Sequence, residues 1–246
     1  MEIEEYARIA AAEDDHWWYR STRAVMAMLL APWLAGDPPR ARVLDAGCGP
    51  GGNGAWLAAH GRVIGADLSR DGLAFVRERR PETAPVCATL ERLPFADAAF
   101  DVVAAITVMY CVDDDRAAIR ELGRVVAPGG AVLLMEPAFG WLTRAHDKTV
   151  HARRRYTRPE LMERARDAGL VVRRATYAYS FLVPPAALLA LAERVRPHAT
   201  PDAGSDVERR TLDPVFARLG RVERGWLRRH DVPFGSTVAV LAQRPA

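Results

Sequence analysis

The sequence predicts an α/β fold built on a parallel sheet, and three observations predict it. The first is residues 43–54, VLDAGCGPGGNG, where an apolar run ends at Asp45 and gives way to a turn carrying Gly47, Gly49, Gly51, Gly52 and Gly54. The second is the alternation that follows, in which short apolar runs exchange with helical stretches as far as residue 108. The third is size: 246 residues, 50% of them hydrophobic, suffice for one domain with a full core.

An apolar run without alternation, such as 41–44, reads as a strand buried on both faces. The glycine turn after it lets the backbone come close to a ligand, because no Cβ stands in the way. The helix opening at 55–59 offers free N–H groups to a negative group. Together these place a nucleotide-type site at the carboxyl end of the first strand. Gly47, Gly49 and Gly52 satisfy G-x-G-x-x-G, the dinucleotide fingerprint. Asp45 argues for a different ligand, since a carboxylate there crowds a pyrophosphate and suits an ammonium group. The next strand leads into Asp67, about 20 residues beyond Gly47, the acidic position expected on a ribose diol.

The remaining elements follow in order. Residues 1–35 read as one or two helices, with His16, Trp17, Trp18 and Tyr19 clustered between them. The cluster is either core packing or part of a lid that excludes water, with Arg20 and Arg23 in reach of a carboxylate. Val25, Met26, Met28, Leu29 and Leu30 suit packing on the sheet. A turn over 36–40 precedes strand 41–46, helix 52–60, strand 62–66 and helix 70–80. Ser69 is placed to cap that last helix, and Arg77, Arg79 and Arg80 to complement its dipole. Strands are expected at 85–88 and 100–108, and an amphipathic helix over 113–126 with Asp113, Asp114 and Asp115 at its start. Adjacent acids on one turn point apart, so they read as helix-start residues rather than metal ligands. A turn at 127–130 leads to strand 131–135.

Residues 136–159 then read as a long loop at the site's edge, where such folds carry specificity. It holds Glu136, Trp141, His146, Asp147, His151, the run Arg153, Arg154 and Arg155, and Tyr156. His146 and His151 are five apart, which is not a helical metal pair, and no metal is expected. Either is a candidate general base, a role histidine as a residue type suits, with His146 the first choice. One arginine of the run is expected to face inward and meet an anion. Thr157 and Pro159 open a helix that Gly169 ends, and strand 170–179 follows. Residues 180–233 exceed what a hairpin needs before the last strand, 236–242. This insert reads as an apolar helix at 185–195, a polar loop at 197–206 and a second helix with Asp213 as cap and Pro214 first. Val215, Phe216, Leu219, Val222 and Trp226 give that helix one apolar stripe, with Arg218, Arg221, Arg224 and Arg228 largely outside it. A substrate cap is the favoured reading. Packing on the domain, a homodimer face and a surface that meets lipid stay open.

The net charge of +3 reflects an arginine-rich surface, Lys148 being the only lysine. There is no basic tail or added module of the kind that points to nucleic acid. Cys48, Cys87 and Cys111 are odd in number and unpatterned, which suits a reducing, cytoplasmic setting. The acidic start is not that of a signal peptide, and no apolar run reaches the ~20 residues of a transmembrane helix.

The glycine turn with Asp45 and Asp67, the ERLPF stretch at 91–95, FDVVAAITV at 100–108 and RVVAPGGAVLL at 124–134 fall in order with sensible spacing. In this the chain resembles class I S-adenosylmethionine (SAM) dependent methyltransferases of the small-molecule, type-11-like group, over residues 40–179. The resemblance implies a Rossmann-like doubly wound sheet of seven strands in the order 3-2-1-4-5-7-6, the last antiparallel. It implies SAM as cofactor and S-adenosylhomocysteine as product. Asp45 is then expected on the SAM amine, with Gly47, Cys48, Gly49 and Gly51 around the amino-acid end and Asp67 on the ribose. Leu68 and Leu90 are expected to sandwich adenine, Thr89 to meet its edge where relatives often carry Asp, and Ile106 and Tyr19 to complete the cofactor site. Tyr110, Trp141, Trp18, Arg155 and Tyr156 are expected around the acceptor. Where relatives often read D-V-L-E-H, this chain has Tyr110 and Cys111 at the acidic and histidine positions. The implied activity is methyl transfer to a small-molecule acceptor, an oxygen of a biosynthetic intermediate, and the apolar insert points to a hydrophobic one. The alternative is a SAM-fold protein that binds the cofactor without methylating, as a cyclase or scaffold.

Overall fold

The computed structural model describes residues 3–35, 40–195 and 211–246. Of the expected elements, the loop over 197–206 and the turn over 36–39 lie outside these residues. Seven strands form one sheet: β1 (Ala41–Ala46), β2 (Gly61–Asp67), β3 (Thr83–Cys87), β4 (Phe100–Ile106), β5 (Val126–Pro137), β6 (Val171–Ala178) and β7 (Thr237–Gln243). Their order is β3-β2-β1-β4-β5-β7-β6, with β7 antiparallel to both neighbours and the other pairings parallel. The strand order expected from the resemblance is the one observed.

The period of two along each strand sorts the core into two layers. Leu44, Val103, Val132 and Val240 face one side, where they pack with Ile119 and Leu122 of α5 (Asp115–Val125) and Leu161 of α7 (Arg158–Asp167). Val43, Val102, Leu133 and Leu241 face the other and meet Val25, Met26, Leu29 and Leu30 of α2 (Trp17–Leu34). Each such fully buried aliphatic side chain contributes about 1.5–3 kcal/mol. The N-terminal helices α1 (Ile3–Ala12) and α2 are thus built onto the domain, α2 as one of its layers.

Helix ends follow the expected chemistry. The Ser69 hydroxyl accepts from the Gly72 N–H and caps α4 (Arg70–Arg79). Asp114 accepts from the Ala117 N–H and caps α5. The Glu160 carboxylate accepts from the Thr157 N–H at the start of α7, and Gly169 takes φ +78 after its end. Three elements differ from the sequence reading. The helix after the glycine turn is short, α3 (Gly54–Ala58). β5 runs through the expected turn at 127–130 and on to Pro137, so Glu136 belongs to a strand, and the segment after it contains a short helix, α6 (His146–Thr149). In the insert, α8 (Val183–Val195) and α9 (Asp213–Leu227) form as expected, but Leu212 occupies the cap position. Asp213 instead faces His16, at 3.6 Å.

Candidate active site

One cavity of about 680 Å³ opens at the carboxyl ends of β1, β2 and β4, within the size range of small-molecule sites. Its floor is the glycine turn. Gly47, Gly49 and Gly51 all have positive φ, a conformation that costs an L side chain about 1–2 kcal/mol. At Gly47 a Cβ would also stand 2.2 Å from Val108 Cγ2, whereas at Gly49 it would meet open space. The turn is therefore pressed against the end of β4 at one glycine and open at the next.

Two carboxylates flank this floor in different states. Asp67, at the end of β2, accepts from the Gly49 N–H (2.9 Å) and the Ser69 N–H (2.8 Å), so it ties the turn to the next loop. Burial raises its pKa, although those two N–H groups pull it back. Asp45 lies beneath the floor, buried, with Oδ2 lacking any hydrogen-bond partner. Burial raises its pKa to about 7, against a hydrogen bond from Asn53 that lowers it. A buried carboxylate with an orphan oxygen is costly unless a donor meets it. Asp45 is not part of the cavity wall, contrary to the direct contact expected of it; Asn53, its neighbour, is.

The other expected cofactor residues divide cleanly. Gly47, Cys48, Gly49, Leu68, Thr89, Leu90, Ile106 and Tyr19 all line the cavity. Leu68 is 72% exposed and Leu90 buried, an apolar pair in the wall. The Thr89 hydroxyl donates to Glu91 (3.0 Å), which leaves it only an acceptor's role toward a ligand. Gly51 is not in the wall: its space is filled from behind by Val76 and Arg80. Tyr19 and the Cys48 thiol are both raised in pKa, first of all by burial, so both stay protonated.

The N-terminal helices supply residues that sequence reasoning did not assign. Tyr6 and Ile9 of α1, Glu13, and Thr22 of α2 line the cavity with the expected Trp18. Glu13 is buried and paired with Arg79 (2.9 Å) and Arg80 (3.2 Å), while its carboxylate closes on Gly52. The pair of arginines at the end of α4 was the available signal, but helix-dipole complementation explained it equally well. Trp17 resolves the aromatic cluster differently: it is buried against Tyr179, Phe181 and Phe216.

The acceptor end differs more from expectation. Tyr110, His146, His151 and Arg155 line the cavity with Cys111, Val112, Pro137 and Val150. Trp141 does not. It is 49% exposed and stacked on Phe139 outside the cavity. Tyr156 is buried elsewhere, donating to Asp115 (2.8 Å). Asp115, which Arg154 and Arg164 also reach, is held below its ordinary pKa; burial opposes this, and those hydrogen bonds and charges outweigh it. Arg155 faces inward as one arginine was expected to, but Asp147 already neutralises it (2.9 Å). None of the described residues of the insert lines the cavity, so the cap expected there is not formed by them. Instead Glu193 of α8 holds the loop from behind, accepting from Arg144 Nε (3.1 Å) and the Ala145 N–H (2.7 Å).

His146 carries a buried Nδ1 without a hydrogen-bond partner. The Cys111 thiol donates to the Val150 carbonyl (3.1 Å), and burial raises its pKa to about 11, so it is no thiolate nucleophile. Tyr110 is raised well above its ordinary value, again by burial first. The turn that presents both is positioned by Glu136, whose carboxylate accepts from the N–H groups of Val108 (3.2 Å), Met109 (3.0 Å) and Tyr110 (3.2 Å). Burial raises its pKa to about 8 against those three bonds. Thr107, at the start of that turn, takes φ +51 and lines the cavity. Such strain concentrates where a ligand is gripped.

These features fit a ligand with an ammonium end, a ribose and an apolar ring: an orphan acid beneath a glycine cradle, an acid at the end of β2, and the Leu68–Leu90 wall. Comparison with known proteins agrees. Residues 44–134 match the methyltransferase domain family of type 11. A malonyl-[acyl-carrier protein] O-methyltransferase of Pseudescherichia vulneris is 36% identical over 157 residues, 61% of this chain and 61% of that protein. The chain thus spans about three fifths of that relative's length. Among solved structures, a TehB-like SAM-dependent methyltransferase from Corynebacterium glutamicum shares 17% identity at a TM-score of 0.58, covering 98% of this chain and 95% of that one. A [4+2]-cyclase shares 20% identity at 0.61, covering 93% and 84%. These two likenesses concern the fold alone.

Proposed function

The core of this chain is a class I SAM-dependent methyltransferase domain of the type-11 group, and from that premise we propose that the protein transfers a methyl group from SAM to an uncharged oxygen of a small molecule. The carrying observation is the single cavity that joins the glycine cradle and Asp67 at one end to His146 at the other. When bound, SAM supplies an electrophilic methyl carbon on its sulfonium. Asp45, whose Oδ2 has no partner, meets the ammonium end, Asp67 takes the ribose hydroxyls, and Leu68 and Leu90 hold adenine. Trp18, Tyr19 and Tyr6 cover this end and exclude water.

His146 is the general base. It lies in the wall, within the cavity that also holds the glycine cradle, and an imidazole nitrogen can accept the proton of a hydroxyl. Tyr110 positions the acceptor, with its phenol kept protonated by burial. The charges at this end pair off, Arg153 with Asp113 and Arg155 with Asp147, which favours a neutral hydroxyl over a carboxylate. Apolar Val112, Pro137 and Val150 favour a hydrophobic acceptor. A second reading, cofactor bound without methyl transfer, is supported by the protonated Tyr110 and Cys111 at positions where relatives often carry an acid and a histidine. Methyl-labelled SAM offered with panels of neutral phenols and alcohols and of matched carboxylates tests both. Labelled product with neutral acceptors supports the first reading. Label transferred to carboxylates alone overturns the acceptor class, and SAM binding with no labelled product on any acceptor supports the second.

A further inference from the structure

The insert's second helix carries a surface that the cavity does not use. Its inward side is fixed: Phe216 packs on Trp17 and Phe181, Gly220 lies against Ser21 of α2, Glu223 accepts from the Ser180 N–H (2.7 Å), and Leu227 is buried. The adjoining flank, about 100° round the helix, exposes Val215 (52%), Leu219 (40%), Val222 (68%) and Trp226 (59%), with Leu212 (52%) just before the helix. At helical spacing, Val215, Leu219, Val222 and Trp226 form one stripe three turns long. The sequence predicts this stripe, but only Phe216 of its five residues turns inward.

Charge on the same helix is segregated. Arg218, Arg221, Arg228 and, just beyond its end, Arg229 are exposed. Its two acids point the other way, Glu223 into the Tyr179–Ser180 turn and Asp213 toward His16. The exposed side of α9 therefore presents aliphatic side chains, one tryptophan and positive charge only. That combination, an apolar stripe edged by arginines with tryptophan at one end, is what lets a helix lie in the interfacial plane of an anionic bilayer.

We propose that this face of α9 docks on an anionic lipid surface, with the Val215–Trp226 stripe entering the headgroup boundary and the arginines meeting lipid phosphates. A second copy of the chain suits the face less well. In a two-fold pair the same patch meets itself, so arginines stand against arginines. No helix among the described residues is long and apolar enough to cross a membrane, and surface docking requires none. One helix, α2, separates this face from the cavity: Ser21 meets Gly220, while the adjacent Thr22 lines the cavity.

The test is co-sedimentation of the full chain with vesicles of phosphatidylcholine alone and of phosphatidylcholine with phosphatidylglycerol in equal parts. Binding to the anionic vesicles only, weakened as salt rises, is expected. Arg218→Gln with Arg221→Gln should weaken it about 30-fold, and Val222→Asp should abolish sedimentation while the melting temperature holds, Val222 being exposed. Absence of sedimentation with anionic vesicles overturns the proposal. So does equal binding by Val222→Asp, or a wild-type dimer that Val222→Asp dissolves without any lipid binding by the wild type. Because the readout is lipid binding, its failure leaves the methyl-transfer reading untouched.

Discussion

The two ends of the cavity are built by different means. At the cofactor end the backbone does the shaping: three glycines in left-handed conformations set the turn, and Asp67 locks it through two N–H groups. At the acceptor end side-chain pairs do the shaping, some within one loop and some between distant segments. Arg153 pairs with Asp113, Arg155 with Asp147, and Glu193 of the insert braces the loop that carries His146. The first kind of end tolerates almost no change in its own few residues. The second redistributes its charges by substitution, which is how one fold serves many acceptors.

The largest expected effect lies in the backbone-built end. Gly47→Ala combines a left-handed L residue with a collision against Val108, each costing about 1–3 kcal/mol. Chemical denaturation should show a loss of about 4 kcal/mol, whereas Gly49→Ala, with open space around its Cβ, should lose only about 1–2 kcal/mol. Equal losses would break the distinction between the two glycines. Next comes His146→Asn. On the general-base role proposed for His146, this variant should lower kcat about 100-fold while S-adenosylhomocysteine affinity, read by calorimetry, changes less than about twofold. A parallel fall in cofactor affinity would mean that the two ends are not independent.

A smaller effect concerns pH. Asp45 has a folded pKa of about 7 against an ordinary 3.8, so the folded protein holds this proton more tightly than the unfolded chain does. Its contribution favours folding most at pH below 3.8, and stability is lost as pH rises from there through 7. Glu136, raised from 4.5 to about 8, has the same sign. Asp45→Asn should therefore stabilise the cofactor-free protein at pH 8, by about 2 kcal/mol, and flatten its pH dependence between 4 and 7 in thermal melts. A destabilised variant would contradict the orphan state of that carboxylate. The smallest effect is that of Tyr156→Phe. Loss of its hydrogen bond to Asp115 should cost about 1 kcal/mol of stability and leave acceptor KM unchanged, because the ring is outside the cavity.

The same division explains what the sequence made legible. The Ser69 cap and the glycine turn with Gly47 and Gly49 follow from local patterns, since a backbone turn needs particular residues within a few positions, whereas the strand order and the lining by Leu68, Thr89 and Leu90 were legible only through the family resemblance. Trp141 and Tyr156 were misplaced because their loop has no period, and an aromatic side chain in such a loop packs wherever the distant chain leaves room. The roles of Glu13 and Glu136 escaped for the converse reason. Their partners, Arg79 and Arg80 in one case and the N–H groups of residues 108–110 in the other, are 26 to 67 positions away. The stripe of α9 shows a third limit: periodicity locates an apolar face but does not say whether the protein or something else covers it.

The most direct measurement is calorimetric titration of S-adenosylhomocysteine into the wild type and into Asp45→Ala. Micromolar binding by the wild type, weakened at least about tenfold in Asp45→Ala as expected for loss of a buried ionic partner, is the predicted result. Equal affinity in the two proteins would remove Asp45 from the cofactor site, and no binding by the wild type would contradict the assignment of this cavity to SAM.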